Sequence, residues 1–404
     1  MKNFLFSGFV LMITLTLAIA QEDLPNSQEI DGSKAGDQLR NIFTAVPFLT
    51  IAPDSRASGM GDVGVATSPD INSMHWNPAK FAFIEGNMGI SMSYVPWLKK
   101  LVNDINLYYL TGYKKFGKYQ TLSASFLYFS LGDIQFTNEE GINTRVVEPN
   151  EFAIDIAYSR LFSRTFSGSV AFRYIRSDMS KGTSNGVDMY PGNAAAIDVA
   201  AYYQKDIRVG DYDGVMSYGL NLSNMGSKIR YSETSEMFLP ANFRLGGALK
   251  MDIDDYNSIA FSLDLNKLMA PSPAKYFKDS TDEDNNPVIQ YGKGDPNADV
   301  PSAIFRSFYD ARGVNEPKGV FREELREVNV GFGMEYWYAK QFAIRGGYFY
   351  EHRIKGGRQY FTLGLGLKLN VFGLDISYII PQQPGNPLAN TIRFSLLFNF
   401  DQEK

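Results

Sequence analysis

The last strand-like stretch of the chain constrains the fold most. From Ile392 to Phe400 the even positions are Ile392, Phe394, Leu396, Phe398 and Phe400, while Arg393, Ser395 and Asn399 lie between them and Leu397 is the one apolar exception. Period-2 alternation that ends on an aromatic close to the end of the sequence is the pattern of a strand with one face in lipid and the other toward a lumen. A soluble sandwich strand also alternates, so the rest of the chain has to decide.

Other segments repeat the pattern. Ile259, Phe261, Leu263 and Leu265 alternate with Ala260, Ser262, Asp264 and Asn266. Val328, Val330, Phe332, Met334 and Tyr336 form one face of the next segment, Phe361 to Leu369 one face of another, and Phe372 to Ile380 one face of a third. Less strict segments fall at 87–96, 104–113, 120–130, 151–161, 166–176, 194–205, 213–222, 240–251 and 342–351. The count is about 14 strands, within the range of bacterial outer-membrane barrels. Connections alternate in length. The long ones are 131–150, 177–193, 223–239, 267–325, 352–359 and 381–389; the short ones fall near Gly117, Ser163, Asp211, Asp254, Ala339 and Asn370. A membrane barrel sorts its loops in this way, with long loops outside and short turns in the periplasm, and a soluble sandwich has no reason to.

The N-terminus fits export. Lys2, an apolar stretch from Phe4 to Ile19 and the small residues Ala18 and Ala20 before Gln21 read as a signal peptide over 1–20. The chain has no cysteine, so neither a lipidated Cys nor a disulfide is available. With 24 Tyr, 30 Phe and 36 Gly, the composition suits interfacial girdles and crowded barrel walls. A formal charge of -5 gives no argument for nucleic-acid binding.

The remaining organisation is a mobile periplasmic arm over 21–45, a compact irregular segment over 46–86 broken by Pro47, Pro53, Gly59, Gly61, Gly64, Pro69 and Pro78, and a barrel over 87–404. The face of the strands opposite the apolar one carries Asp155, Arg173, Asp198, Arg244, Asp264, Glu335, Lys368, Asp375 and Arg393. Basic side chains at lipid mid-depth cost about 2–4 kcal/mol, so these charges face the lumen. That row makes the lumen mostly polar or charged. Both signs are present, which suits an ion-paired interior as well as a water-filled one. About 14 strands enclose more space than side chains alone fill, and the 46–86 segment is the candidate filler.

No catalytic constellation emerges. The two histidines, His75 and His352, lie on opposite sides by the strand count, and there is no cysteine to join them. The acidic run Asp279, Asp282, Glu283 and Asp284 has Pro287 where a calcium loop needs Gly, and reads as a solvated loop. No metal, cofactor or enzyme activity is expected. The Gly-rich stretch from Asp54 to Gly64 lacks the Gly-Lys-Ser/Thr of a phosphate loop. Its residues Asp54, Arg56, Gly59, Gly61 and Gly64, with Asn77 and Pro78, read as a structural motif that allows tight turns and close packing.

These stretches carry a family resemblance. The pattern SRA-x-GMG-x-x-GVA and the NPA before the first strand resemble the FadL-like outer-membrane barrels, and FLTIAPDSRASGMGDVGVATSPD, HWNPAKFAF, YVPWLKKLVNDINLYYLTGYKKF and the terminal strand are more similar to the PorV (LptO) family of the type IX secretion system. The resemblance implies an all-β transmembrane antiparallel barrel whose lumen is plugged by an N-terminal hatch, here 46–86. It implies a multi-pass protein of the outer membrane with no enzyme activity. It further implies association with a SprA- or Sov-like translocon barrel, receipt of cargo by its C-terminal signal domain, and hand-over to a PorU-like sortase attachment complex. FadL-like ancestry implies the alternative, transport of hydrophobic small molecules across the outer membrane.

Apolar clusters in predicted external loops are the candidate partner-binding residues: Trp97, Leu98, Leu101 and Val102 after the first strand, and Ile304, Phe305, Phe308 and Tyr309 within 267–325. A second reading stands beside this one, in which the same clusters cap the barrel mouth or dip into the lipid interface.

Overall fold

In a computed structural model the described residues are 40–400, apart from 100–101, 103, 138–142, 180–181, 185–186, 234–235, 282–286, 313–318, 383–387 and 389–390. The expected signal peptide, residues 21–39 of the expected arm, and Leu101 therefore lie outside the described residues.

The 14 expected segments form 14 strands in one closed barrel. They are β1 (Met88–Pro96), β2 (Asn106–Phe116), β3 (Gln120–Ser130), β4 (Asn150–Ser163), β5 (Phe166–Asp178), β6 (Gly192–Val209), β7 (Tyr212–Gly226), β8 (Asn242–Asp252), β9 (Asn257–Leu268), β10 (Asn329–Tyr338), β11 (Phe342–Tyr350), β12 (Gln359–Leu369), β13 (Phe372–Pro381) and β14 (Ile392–Phe400). Each strand pairs antiparallel with its sequence neighbour, and β1 pairs with β14 from Met88↔Phe400 to Tyr94↔Phe394, which closes the ring. The barrel sheet has no open strand edge, as a spanning sheet requires. No helix among the described residues is long and apolar enough to cross a membrane; the strands do the crossing.

The register keeps one parity outside. Ile90, Met92, Leu110, Phe126, Ile154, Ile156, Phe172, Ile344, Leu363, Leu365, Phe394 and Phe398 are all exposed. Their neighbours on the other parity, among them Ser91, Ser93, Thr111, Ser125, Asp155, Ser169 and Arg173, are buried. The outward row is apolar from strand to strand, the band that meets lipid. Lys368 keeps the inward parity but is exposed, because it lies near the short-turn end of β12.

All short turns fall on one edge and all long loops on the other. The long connections are more ordered than a loop reading allows. Ile134–Thr137 pairs with Asn143–Val147, Gly182–Ser184 with Val187–Met189, Ile229–Arg230 with Glu236–Met237, and Lys275–Thr281 with Pro287–Tyr291. Asp279 belongs to the last of these hairpins, while Asp282, Glu283 and Asp284 lie outside the described residues. The longest connection, bounded by Leu268 and Asn329, also holds two short helices.

Residues 46–86 contain only short turns of helix: a 3-10 turn at Pro47–Thr50, α1 (Ser55–Ser58), α2 (Ser73–Trp76) and a 3-10 turn at Pro78–Phe83. Pro at the start of both 3-10 turns fits the fixed φ of a first turn, and the lack of a run longer than six residues follows from the Pro and Gly breakers. The last residues of the expected arm contact the barrel. Ala45 donates its N–H to the Phe238 carbonyl (2.9 Å), and Ile42 packs with Phe238, Ala270, Ala298 and Ala303, all on the long-loop edge. The apolar pair Ile42 and Ala45 gains burial there that a solvated arm would not give.

Candidate functional site

Two sets of residues stand out: those that join 46–86 to the inward faces of the strands, and those exposed on the long-loop edge.

The first set begins with Asp54. Its carboxylate caps α1 by accepting from Ala57 N–H (3.0 Å) and also accepts from the Trp76 indole N–H (2.6 Å). The cap turns α1 so that Arg56 reaches the inward side of β10. There Arg56 donates Nε to Glu335 Oε1 (3.0 Å) and Nη2 to Glu335 Oε2 (2.8 Å), a bidentate pair. Nη1 donates to Asp70 Oδ2 (2.8 Å) and the Ser68 carbonyl (3.0 Å), and Nη2 also donates to Ser68 Oγ (2.6 Å). Glu335 also accepts from Arg345 Nε (2.8 Å), and Arg345 Nη1 reaches Asp375 (2.6 Å). One ionic chain therefore runs from Asp70 through Arg56, Glu335 and Arg345 to Asp375, across β10, β11 and β13. Buried charge persists only when paired this fully.

Glycines let backbone replace side chains in the same region. A Cβ on Gly64 would sit 2.3 Å from the Trp76 ring, and one on Gly59 would meet Gly364 Cα at 3.0 Å. Gly61 has φ +72°, the left-handed region, and its N–H donates to Thr362 Oγ1 (2.8 Å). The wall answers with glycines of its own. A Cβ on Gly347 would lie 2.1 Å from the Met60 carbonyl carbon, and one on Gly219 would lie 2.1 Å from the Val65 carbonyl oxygen. Asp264 accepts from the N–H groups of Gly64 (2.7 Å) and Val65 (2.9 Å). Asn77 caps the turn that starts at Pro78 and donates to Val65 O (2.9 Å) and Ala201 O (3.0 Å). Lys80 is fully buried and donates to Gly64 O (2.8 Å) and Thr67 Oγ1 (2.9 Å). On β4, β5 and β7, Ser159, Ser167 and Ser217 donate to the carbonyls of Pro78, Ala79 and Ala66, each at 2.7 Å. The structural motif expected at Asp54, Arg56, Gly59, Gly61, Gly64, Asn77 and Pro78 thus falls on contacts with the strands.

The inward face is mostly polar or charged, as expected, with Ser91, Ser125, Asp155, Arg173, Asp264 and Arg393 among its buried residues, but it also holds an apolar region that the sequence did not show. Val95, Leu107, Tyr109, Leu127, Phe129, Ala153 and Ile175 form an apolar cluster that Val46, Phe48 and Leu49 fill. Phe48 stacks on Phe129 at 6.2 Å. Leu397, the apolar exception of β14, packs on Ile71, Met74, Phe81 and Ile84. Inward apolar residues occur where 46–86 presents apolar partners, a non-local fact that strand periodicity cannot carry. On the short-turn side a cavity of about 460 Å³ remains, with Arg56, Asp70, Glu335 and Asp375 among its lining residues and Lys250, Lys340 and Lys368 also on its wall. The histidines are far apart in role. His75 sits edge-on to Trp76 (4.9 Å), and His352 lies between β11 and β12 on the long-loop edge.

The second set divides the expected partner-binding residues. Trp97 and Leu98 are half-buried and pack with Phe349, Tyr360, Ile379 and Leu388, while the Arg393 guanidinium lies 5.9 Å from the Trp97 ring. These two turn back over the mouth. Val102 is exposed. In the longest connection, α3 (Val300–Arg306) is capped by Asp299, which accepts from Ser302 N–H (3.1 Å). Ala303 faces in, Ile304 is half-buried, and Phe305 is 73% exposed; Phe308 and Tyr309, just beyond, are also exposed. Phe308 meets the outward-facing Phe243 edge-on at 6.1 Å, so this part of the connection lies on the lipid side of the rim.

Acidic residues of α4 (Val320–Arg326), with Glu327 just beyond it, hold the connection there. Lys267 at the end of β9 bonds Glu324 (2.9 Å) and Glu327 (2.6 Å), and Lys355 between β11 and β12 bonds Glu323 and Glu327, each at 2.9 Å. Asp310 accepts from Ser272 N–H (3.2 Å), and burial, with Glu324 and Glu327 nearby, pushes its carboxyl up to about 7. Burial and then Arg326 push the His352 imidazole down to about 4. Sequence reading missed this clasp and Phe321, which is 76% exposed on α4. It also missed Arg345, although the inward parity of β11 marks it. Glu323, Glu324 and Glu327, on and just beyond one short helix, carried a signal only in hindsight, since their lysine partners lie on separate elements.

A family model described as "Type IX secretion system protein PorV" matches residues 33–275, more than half of the chain. No curated protein matches it. Among solved structures, the Ralstonia pickettii toluene transporter TbuX is similar at 10% identity, with 86% of this chain and 98% of that chain covered and a TM-score of 0.46. The Pseudomonas putida toluene transporter TodX is similar at 10% identity, 89% and 98% coverage and a TM-score of 0.46. A Pseudomonas aeruginosa FadL homologue is similar at 10% identity, 90% and 100% coverage and a TM-score of 0.44.

Proposed function

We propose, from the premise that this chain belongs to the PorV family of type IX secretion system proteins, that it carries exported proteins at the outer membrane. It is an outer-membrane component of that system. In the proposed cycle it associates with a SprA- or Sov-like translocon barrel, receives cargo through the cargo's C-terminal signal domain, and passes it to a PorU-like sortase attachment complex. The family match carries this reading, and two features of the molecule support it. Residues 46–86 act as a hatch: the ionic chain through Arg56 and the apolar contacts of Phe48 leave the protein poorly suited to a steady open pore. The exposed aromatics Phe305, Phe308 and Tyr309, with Val102, offer the kind of apolar anchor that protein interfaces use. Trp97 and Leu98 serve the same surface from below by ordering the mouth.

The FadL-like alternative, passage of hydrophobic small molecules, has one observation in its favour, the apolar cluster around Leu127 and Phe129. Phe48 and Leu49 occupy that cluster, so the alternative needs a segment that moves.

A strain lacking the protein separates the readings. The carrier reading expects exported proteins to be lost from the cell surface, with uptake of fatty acids and aromatic hydrocarbons unchanged. Normal surface display with impaired uptake would reject the carrier. Reconstituted intact protein is expected to show little ion conductance, and large steady conductance would reject the hatch.

A further inference from the structure

The two ends of the lumen segment are fixed at opposite edges of the barrel. At its start, Ala45 donates to Phe238 O (2.9 Å), and Ile42 packs against the cluster of Phe238, Ala270, Ala298 and Ala303, all on the long-loop edge. At its end, Lys115 Nζ donates to Ile84 O (2.8 Å), Tyr113 OH donates to Glu85 O (3.0 Å), and Lys115 N–H donates to Asn87 O (2.8 Å), all beside the short turn between β2 and β3. Phe43, between the two external contacts, is 75% exposed.

We infer that residues 42–86 are threaded through the barrel from the external mouth to the periplasmic one and are pinned at both, so that Phe43 belongs to the external face. This reverses the direction in which a periplasmic arm would feed the barrel. It also separates the segment from a lid hinged at one end. A lid swings when one end is free, whereas here any opening must first release either Ala45 from the Phe238 strand end or Ile84 from Lys115. The external pin includes Ala303 of α3, the helix that carries Phe305. A protein that displaces α3 acts directly on the first residues of the lumen segment. This last point rests on the carrier reading; the threading itself does not.

The chain has no cysteine, so single cysteines report cleanly. Phe43→Cys, Tyr309→Cys and Lys118→Cys are each expressed in cells and treated with a maleimide too large to cross the outer membrane. Heat-modifiable migration confirms that each barrel has assembled. The expected result is labelling of Phe43→Cys and Tyr309→Cys on intact cells, with Lys118→Cys labelled only after the outer membrane is permeabilised. Labelling of Phe43→Cys only under the conditions that label Lys118→Cys would overturn the inference. If Phe43→Cys does not assemble, the neighbouring Thr44→Cys is read by the same criterion. The labelling pattern is independent of cargo binding, so the threading and the carrier reading can fail separately.

Discussion

The lumen and the external rim treat large apolar side chains in opposite ways. In the lumen, Phe48 and Phe81 are fully buried and each is surrounded by strand residues of matching character. On the rim, Phe305 and Phe321 stand on short helices with most of their surface uncovered by the protein, although Lys267, Lys355 and three glutamates fix the frame beneath them. An interior packed in this way resists passage. A rim that holds exposed aromatics on an ordered frame is organised for contact, because a pre-ordered anchor loses less entropy on binding. The proposed division puts stability in the lumen and partner binding at the rim, and each placement can be broken by substitution.

The largest loss is expected in the ionic chain. Arg56→Met leaves Glu335 and Asp70 buried with fewer partners, and removing one side of a buried ion pair costs about 3–5 kcal/mol. The midpoint of denaturant unfolding, followed by heat-modifiable migration, should fall accordingly. Adding Glu335→Gln should recover part of the loss, since contacting residues do not act additively. A wild-type midpoint for Arg56→Met would show that the lumen segment contributes nothing to the stability of the barrel.

On the apolar side, Phe48→Ala should cost roughly 3 kcal/mol through lost burial and the cavity left against Phe129. The same unfolding measurement reads it, and a change below about 0.5 kcal/mol would mean that the segment is not packed there.

Rim substitutions should behave in reverse. Phe305→Ser with Phe308→Ser should leave stability within about 1 kcal/mol, because surface changes are usually small. Loss of interface anchors costs roughly 2 kcal/mol each, so partner binding should weaken by two orders of magnitude or more. Trp97→Ser with Leu98→Ser should instead lower stability, since both side chains pack under the mouth. If the first pair destabilises and the second affects only binding, the division between lumen and rim is wrong.

A smaller effect is expected from pH at the clasp. Asp310 titrates near about 7 in the folded loop and near 3.8 ordinarily. Between these values the folded loop keeps a proton that the unfolded loop has lost, so this contribution is full at low pH and falls as pH rises through about 7. His352, lowered from 6.5 to about 4, works the other way: its contribution is full above 6.5 and falls as pH drops toward about 4. Protease cleavage in the longest connection, measured from pH 6.5 to 8, where the opposing His352 contribution is already complete, should increase with pH, and Asp310→Asn should abolish that rise. An unchanged profile in Asp310→Asn would assign the pH response to other groups. Least of all should change in Leu365→Ile, which exchanges one lipid-facing apolar residue for another. A secretion defect there would move the partner surface to the barrel wall.

The strands were legible because lipid imposes a local rule. Every outward position must be apolar, and this shows as period 2 in β9, β12 and β14 without knowledge of any neighbour. What the rule does not cover was harder to read. Leu397 looked like an exception because its partners, Ile71 and Phe81, lie more than 300 residues away in sequence. Lys267 has the outward parity, which lipid forbids at mid-depth; it is tolerated at the rim because Glu324 and Glu327 cover it. The hairpins that continue from the long loops have too few residues to show a period. The motif from Asp54 to Gly64 was visible as a crowd of glycines, but its partners on the wall, Gly219, Gly347 and Thr362, are fixed only by the closed barrel.

Co-purification from native outer membranes tests the central claim most directly. The tagged wild-type protein is isolated under mild detergent and its bound proteins are identified, with the Phe305→Ser/Phe308→Ser variant in parallel. The account predicts a large translocon barrel and exported proteins bearing C-terminal signal domains in the wild-type sample, both depleted in the variant, whose barrel remains folded. A wild-type protein that purifies without protein partners but with a hydrophobic small molecule in its lumen would contradict the account and establish the transporter in its place.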